Sequence, residues 1–156
     1  MRVRLSFSVC GLILLVAACH RGGLEGLTPV LSSARVYYGD GPAFRDSVRL
    51  VVHETSVWQR VWAQATSTQP SPPPLPPIDF DREMAIVVGA GRMKPGDQIS
   101  VDSVGVRGGF FIAVVRTIVE CRSFPADAYP LEIVRVSRSD KQPTFEEHRD
   151  RAASCQ

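Results

Sequence analysis

The N-terminal nineteen residues constrain this chain most, because they decide which part of it folds as a domain and in which compartment. Two arginines precede an apolar segment, residues 5–16, which is followed by Ala17, Ala18 and Cys19. A basic start, an apolar stretch and a small-residue end are typical of a signal peptide. A helix needs about 20 apolar residues to cross a bilayer, so an uncleaved anchor fits less well. The sequence therefore predicts that residues 1–18 are removed and that the rest of the chain folds outside the cytoplasm.

The residues around the predicted cleavage point, Val16-Ala17-Ala18-Cys19, resemble the lipobox of bacterial lipoproteins. In that family the cysteine thiol receives a diacylglycerol, which implies that Cys19 is lipidated and attaches the protein to a membrane. Secretion without lipidation and an uncleaved anchor are the alternatives. His20 stands where an aspartate often retains lipoproteins at the inner membrane of Gram-negative bacteria. The resemblance therefore implies a cell-envelope location, and in a Gram-negative cell the outer membrane, facing the periplasm or the surface.

Length and charge limit the kind of domain that follows. Removal of residues 1–18 leaves 138 residues, the size of one domain. That part of the chain carries 16 basic and 16 acidic residues, so it lacks the positive charge of a nucleic-acid-binding protein. Composition predicts a flexible tether over 19–34, a β-rich domain over 35–145 and a charged C-terminal tail over 146–156.

Two cysteines remain once Cys10 leaves with the signal peptide and Cys19 carries lipid: Cys121 and Cys155. Two thiols in an oxidising compartment favour a disulfide, which would join the C-terminal tail to the end of a strand. Two free thiols are the alternative. A catalytic thiol is disfavoured, because no histidine shares a local motif with Cys121.

One segment has the periodicity of a helix. Its apolar residues recur at 3.6-residue spacing over residues 57–65, and Thr55 or Ser56 is a suitable N-cap. Trp58 and Trp62 are four residues apart and so lie on the same side of this helix. We interpret the two rings as core residues that fix the helix to a sheet. An aromatic platform for a ligand is the alternative.

The other apolar segments have the length and alternation of strands. One helix among many strands predicts an α+β, β-rich fold, with a single twisted antiparallel sheet and the tryptophan-bearing helix packed on it. Six prolines within residues 69–77 predict a stiff, extended loop, with a Pro-x-x-P ligand as the alternative. The predicted strands cover residues 35–38, 48–52, 84–90, 98–106, 110–119 and 131–136, with a short edge strand at 144–145.

The sequence offers no constellation of catalytic or metal-binding residues. The three histidines lie far apart, and the chain has no Gly-x-Ser-x-Gly, Cys-x-x-Cys or His-x-x-x-His motif. Acids alternate over residues 79–83, but the spaced oxygen ligands and turning glycine of a calcium loop are missing. The sequence therefore predicts a protein that is not an enzyme and that binds no metal or cofactor.

Four parts of the chain follow one another in the order and spacing of a known family. They are the helix with Trp58 and Trp62, the segment Pro77-Ile78-Asp79-Phe80 leading through Met84 into a strand, the glycine-rich turn 91–96, and Val134-Arg135-Val136 before Arg138-Ser139-Asp140-Lys141. Together they make residues 47–145 similar to the C-terminal domain family named for the protease complex subunit PrcB. Members of this family look secreted or lipid-anchored, and the founding member is a binding subunit of a surface protease complex. The family has no established catalytic residues.

The resemblance implies a binding or assembly module in the cell envelope, such as an accessory subunit to a secreted protease or another envelope protein. Family members often carry Thr-Gly-Gly-Tyr where this chain has residues 93–98, so a protease partner does not follow directly. An exposed sheet edge offers recognition by strand addition. The alternative is an envelope lipoprotein that binds a small ligand in a pocket between helix and sheet. We assign partner contact to the proline-rich loop and to Gly91, Arg92, Lys94, Pro95 and Gly96.

Overall fold

The computed structural model describes residues 26–30, 33–122 and 124–155. Within these ranges it is β-rich with a single α-helix, which confirms the predicted α+β class. The elements are β1 (Thr28–Pro29), β2 (Ser33–Asp40), β3 (Ser47–Val52), α1 (Thr55–Ala65), β4 (Glu83–Ala90), β5 (Gln98–Arg107), β6 (Phe110–Val119), β7 (Pro130–Ser137), β8 (Pro143–Arg151) and a 3₁₀ turn, Ala153–Cys155.

The predicted signal peptide and the lipidation site Cys19 lie outside the described residues. Both therefore stay predictions. In the part of the chain that the structure describes, no helix combines the length and the apolar character needed to span a membrane.

The strands form two sheets, so the prediction of a single antiparallel sheet is wrong. Sheet A has the order β1-β5-β6-β8 and sheet B the order β2-β7-β4-β3. Neighbours are antiparallel except for β8, which runs parallel to β6. The chain crosses between the two sheets after β4, after β6 and again after β7, and the last crossing places β8 parallel to β6. A crossing of this kind leaves no periodic signal in the sequence.

Sheet B is the middle of three layers, and β4 shows why. Met84, Ile86 and Val88 face sheet A, whereas Ala85 and Val87 face helix α1. Successive side chains of a strand point to opposite faces, so an uninterrupted apolar run produces a strand that is buried on both sides. The fold therefore has two cores, one between the sheets and one under the helix.

Helix α1 begins without a side-chain cap. Glu54 occupies the N-cap position in an extended conformation, but its side chain makes no capping hydrogen bond. The prediction that Thr55 or Ser56 caps the helix is therefore wrong, since both lie inside its first turn. A missing cap weakens a helix by about 1 kcal/mol. The helix thus depends on the packing of its buried face against sheet B.

The C-terminal residues are part of sheet A. Strand β8 runs to Arg151, so residues 146–151, assigned above to a charged tail, extend the edge strand predicted at 144–145. A strand with charges on both faces gives no alternation of apolar residues, although charges are common on edge strands. Its acids pair with arginines of three other strands, namely Glu146 with Arg107 of β5, Glu147 with Arg49 of β3 and Asp150 with Arg116 of β6.

The start of the described chain also packs on sheet A. Strand β1 pairs with β5 where β5 has Gly105. A Cβ atom at Gly105 would lie 2.5 Å from the carbonyl oxygen of Thr28 and 2.6 Å from Cγ of Leu27, so only glycine permits this approach. The tether predicted over 19–34 therefore ends earlier, because β1 and the start of β2 belong to the domain.

Candidate functional site

The proline-rich loop, residues 69–77, is held against helix α1 by two indole hydrogen bonds. Trp58 Nε1 donates to the carbonyl oxygen of Pro76 at 2.9 Å, and Trp62 Nε1 donates to that of Pro73 at 3.0 Å. A buried indole N–H usually has an acceptor, and an extended proline-rich segment leaves its carbonyl groups free. The tryptophans are therefore core residues that also fix the loop.

An open groove lies between this loop and the outer side of helix α1. Its volume is about 340 Å³. Leu75, at its rim, is 38% exposed. The space between the helix and sheet B is filled by core side chains, so the groove lies beside that core. We call it the helix–proline groove; its lining is uncharged and consists of Gln59, Trp62, Ala63, Thr66, Pro72, Pro73 and Leu75.

Strand β2 forms one edge of sheet B and has β7 as its only neighbour within the described residues. Just past its end, the N–H of Gly41 donates to the carbonyl of Tyr129 at 2.8 Å. An antiparallel ladder alternates bonded and non-bonded pairs, so the main-chain groups of Tyr38 point away from β7. The Tyr38 ring is 46% exposed, and the Arg35 guanidinium lies 4.9 Å from its centroid. This edge thus presents unpaired main-chain groups beside an exposed aromatic ring.

The turn of residues 91–97 lies next to the end of β2. Met93 and Ala128 form a two-way backbone bridge, with N···O distances of 2.8 and 3.0 Å. Beside this bridge is a small cleft of about 140 Å³. The structure thus brings the predicted contact turn together with an edge that the sequence did not identify. We call Arg35, Tyr38, Asp40 and the turn 91–97 the edge–turn surface; the cleft is lined by Tyr38, Gly39, Asp40, Asp97, Ala128 and Pro130.

The five predicted contact residues differ in exposure. Arg92 and Gly96 are exposed, Lys94 and Pro95 are half-buried, and Gly91 is buried. Gly91 and Gly96 have φ values of 72° and 94°, a conformation that other residues rarely adopt. The glycines therefore shape the turn, and Arg92 is the side chain best placed for a partner.

Arg92 is already paired within the protein. Its guanidinium lies 2.9 Å from Asp127, and the hydrogen bond to that carboxylate raises the pKa of Arg92 above its ordinary value. Both side chains are exposed, so the pair contributes little to stability. A partner carboxylate could therefore replace Asp127 at small cost.

Asp97 organises the turn, and the sequence analysis missed it. Its carboxylate is buried and accepts hydrogen bonds from the N–H of Lys94 at 3.0 Å and from the N–H of Glu120 at 2.6 Å. An aspartate that follows Pro-Gly commonly bonds to the main chain of its own turn, so a local signal was present. Its contact with Glu120 is not local and had no such signal.

A disulfide joins Cys121 to Cys155, the pairing that the sequence favours, with 5.4 Å between the Cα atoms. Beside it, Oε1 of Glu120 accepts hydrogen bonds from Ser154 Oγ at 2.7 Å, Cys121 N at 2.8 Å and Arg122 N at 3.3 Å. These hydrogen bonds hold the pKa of Glu120 below its ordinary value, and the bond from Ser154 has the largest effect. The C-terminal residues are thus fastened to the end of β6.

The described residues contain no group of three or more histidine, cysteine or acidic side chains placed to hold a metal. His53, at the end of β3, lines a polar cleft with residues 138–143. Its Nδ1 is buried and has no hydrogen-bond partner among the described residues. A histidine that acts as a catalytic acid or base is normally oriented by a hydrogen bond at Nδ1. His53 has no such bond within the described residues.

Comparison with known proteins adds no further assignment. No family model, no curated protein and no solved structure matches the chain.

Proposed function

We propose that this protein is a lipid-anchored binding module of the cell envelope that holds an extended segment of a partner protein at the edge–turn surface. The observation that carries the proposal is the open edge of β2 at Tyr38. In strand addition, main-chain hydrogen bonds supply affinity and adjacent side-chain pockets supply specificity. The cleft beside Tyr38 and Asp40 serves as such a pocket.

The other sheet edges are less suited to this role. The edge of β3 is bridged to β8 by Arg49 and Glu147, whose atoms lie 2.6 and 3.0 Å apart. Strand β8 is highly charged over residues 146–151, and β1 covers part of β5. Charges of this kind commonly protect edges against pairing. Strand β2 is therefore the best site for an added strand.

The geometry of β2 limits the length of the added strand. Its register against β7 shifts between Arg35 and Tyr37, and Tyr37 to Asp40 then pair regularly. A register shift of this kind bends an edge strand and interrupts pairing. An added strand of about four residues, roughly 13 Å long, fits the regular half.

The class of partner follows from the resemblance of residues 47–145 to the PrcB-type domain. Within this proposal the partner is another envelope or secreted protein, a secreted protease among them. Tyrosine and arginine are enriched in the residues that dominate binding energy at protein interfaces, and Tyr38 with Arg35 supplies such a pair at the edge.

Lipidation of Cys19 is part of the proposal and sets where the surface lies. Leu27 lies eight positions after Cys19, and an extended chain covers at most about 28 Å over eight positions. The lipid would therefore keep the domain close to the bilayer, with sheet A nearest to the point where the tether joins.

Replacing Cys19 with alanine is expected to remove the lipid and to shift the protein out of the detergent phase. The physical reason is that the thiol is the acylated atom, and each buried acyl CH₂ contributes about 0.8 kcal/mol to membrane attachment. Intact mass and detergent partitioning check this. Cys10→Ala is the matched control, because Cys10 leaves with the signal peptide; equal behaviour of wild type and Cys19→Ala without acyl mass would contradict lipidation.

Replacing Tyr38 with alanine is expected to weaken binding of the captured partner about tenfold, since interface tyrosines often contribute at least 1–2 kcal/mol. The partner is isolated from envelope extract by photo-crosslinking through residue 38, and its dissociation constant is then measured. Phe110→Ala is the matched control, because Phe110 is 45% exposed and lies at the start of β6. If both variants weakened partner binding equally, or if neither weakened it, the result would count against the edge–turn surface as the binding site.

A second candidate function is binding of a small, neutral, apolar molecule in the helix–proline groove. The observation that favours it is the uncharged lining around Trp62 and Leu75, in a groove already ordered by the indole hydrogen bonds. Pre-ordered apolar sites of this size are typical of small-molecule binding. Binding there would be insensitive to Tyr38→Ala, so the same variant separates the two functions.

A further inference from the structure

We propose that the disulfide between Cys121 and Cys155 is a redox-sensitive lock on the turn 91–97, which keeps the edge–turn surface ordered in the oxidised protein and loosens it in the reduced protein. Its consequence for partner binding rests on the proposed function. The lock itself rests only on contacts within the fold.

The first link joins the turn to Glu120, the residue that directly follows β6. Lys94 Nζ donates to the carbonyl oxygen of Glu120 at 2.7 Å, and the N–H of Glu120 donates to Asp97 at 2.6 Å. Gly96 lies against the same side chain, since a Cβ built there would be 3.3 Å from Cγ of Glu120. The turn is therefore fastened to both main-chain polar groups of a single residue.

The second link joins Glu120 to the C-terminal residues. Ser154 Oγ donates to the Glu120 carboxylate at 2.7 Å, and the N–H of Ala152 donates to the carbonyl of Val119 at 2.9 Å. The disulfide closes this clasp covalently at Cys121. Without it, the clasp depends on a few hydrogen bonds that each contribute about 1 kcal/mol. Chain ends held by so few bonds fray readily.

The disulfide is open to reduction. Cys121 is exposed and Cys155 is half-buried, so a dithiol reductant can reach the bond. One reductant thiolate attacks a sulfur of the disulfide, which forms a mixed disulfide and releases the other cysteine as a thiolate. The second reductant thiol then displaces the first cysteine. The reductant becomes a disulfide, and the protein gains two electrons and two protons as two thiols.

Hydrogen exchange of the complete mature protein tests the lock. The reporters are the amides of Lys94, Asp97 and Glu120, each of which donates a hydrogen bond in the turn or its first link. Oxidised protein is compared with dithiol-reduced protein and with the Cys121→Ser/Cys155→Ser variant. We expect the reporters to exchange about tenfold faster or more without the disulfide, since loss of a restraint lowers the free energy of local opening. Ser154→Ala, which keeps the disulfide and removes one hydrogen bond, should change them by at most about fivefold.

The amides of β4 and β7 supply the internal reference. Unchanged reporters, or a rise shared equally with β4 and β7, would overturn the lock, because the disulfide would then have no local effect on the turn. Partner capture is measured on the same samples. Faster exchange with unchanged capture would support the lock and remove the turn from the partner surface. Weaker capture without faster exchange would overturn the lock while the proposed function stands.

Discussion

Replacing Trp58 with alanine is expected to lower the free energy of unfolding by about 3–5 kcal/mol, the usual cost of deleting a buried large aromatic side chain. Trp58 is 1% exposed, and its ring centroid lies 5.4 Å from that of Trp62. The variant also leaves the carbonyl of Pro76 without its indole donor. The total free energy of unfolding of a domain is about 5–15 kcal/mol, so this single change removes a large part of the stability. Urea unfolding followed by far-UV circular dichroism measures the loss.

Two controls separate ring volume from the indole hydrogen bond. Trp58→Phe keeps most of the apolar contact and removes the N–H, so its cost should be about 1–3 kcal/mol. Leu75→Ala lies at the exposed rim of the same loop and should stay within about 0.5 kcal/mol of the wild type. If Trp58→Ala cost less than about 1 kcal/mol, the helix would not depend on this ring, and the account of an uncapped helix held by packing would be wrong.

The sequence predicted the helix and most strands because their apolar periodicity is local. It did not predict the second sheet, although the signal was present in β4. Met84 to Val88 is apolar on both faces, and one helix covers only one face of a sheet. The other face therefore needed a cover, which sheet A supplies. The periodicity of each strand taken alone does not indicate that a strand apolar on both faces needs two covering layers.

The candidate site likewise has one part that the local sequence predicts and another that depends on pairing between distant residues. The turn was predicted from Gly91 and Gly96, whose positive φ values are a local requirement. The edge at Tyr38 depends on the pairing of β2 with β7, which joins residues about 100 positions apart in the chain. The attachment of the proline-rich loop to the helix had a local signal in the sequence. Buried indole N–H groups need acceptors, and a proline-rich segment leaves its carbonyl groups free.

A buried carboxylate connects the two sheets close to the edge–turn surface. Glu132 is 1% exposed and lies opposite Tyr38 in the β2–β7 ladder. Its Oε2 accepts a hydrogen bond from the N–H of Val101 at 2.5 Å, and its Oε1 accepts one from Arg35. Val101 stands where the register of β5 shifts by one residue before Ser103. The carboxylate therefore satisfies a main-chain donor at a β-bulge, as buried polar groups require.

Replacing Glu132 with alanine is expected to lower the free energy of unfolding by about 2–3 kcal/mol. Most of this is the cost of leaving the partly buried Val101 N–H without an acceptor. The Arg35 side chain is 60% exposed, so its charge is solvated after the change and adds little. Urea unfolding of Glu132→Ala and Glu132→Gln measures the loss, and the glutamine variant should cost less because its amide oxygen can still accept from Val101.

Arg35→Ala decides which partner of Glu132 matters for stability. Because the guanidinium is largely solvated, we expect this variant to cost under about 1 kcal/mol, well below Glu132→Ala. Equal costs for the two variants would mean that the ion pair, and not the bond to Val101, holds the sheets together at this edge. The predicted order instead makes Glu132 a structural residue and leaves Arg35 free to contribute to the exposed pair with Tyr38. Stability and partner binding at this edge would then be separable by mutation, since Arg35→Ala should reduce capture while the fold is retained.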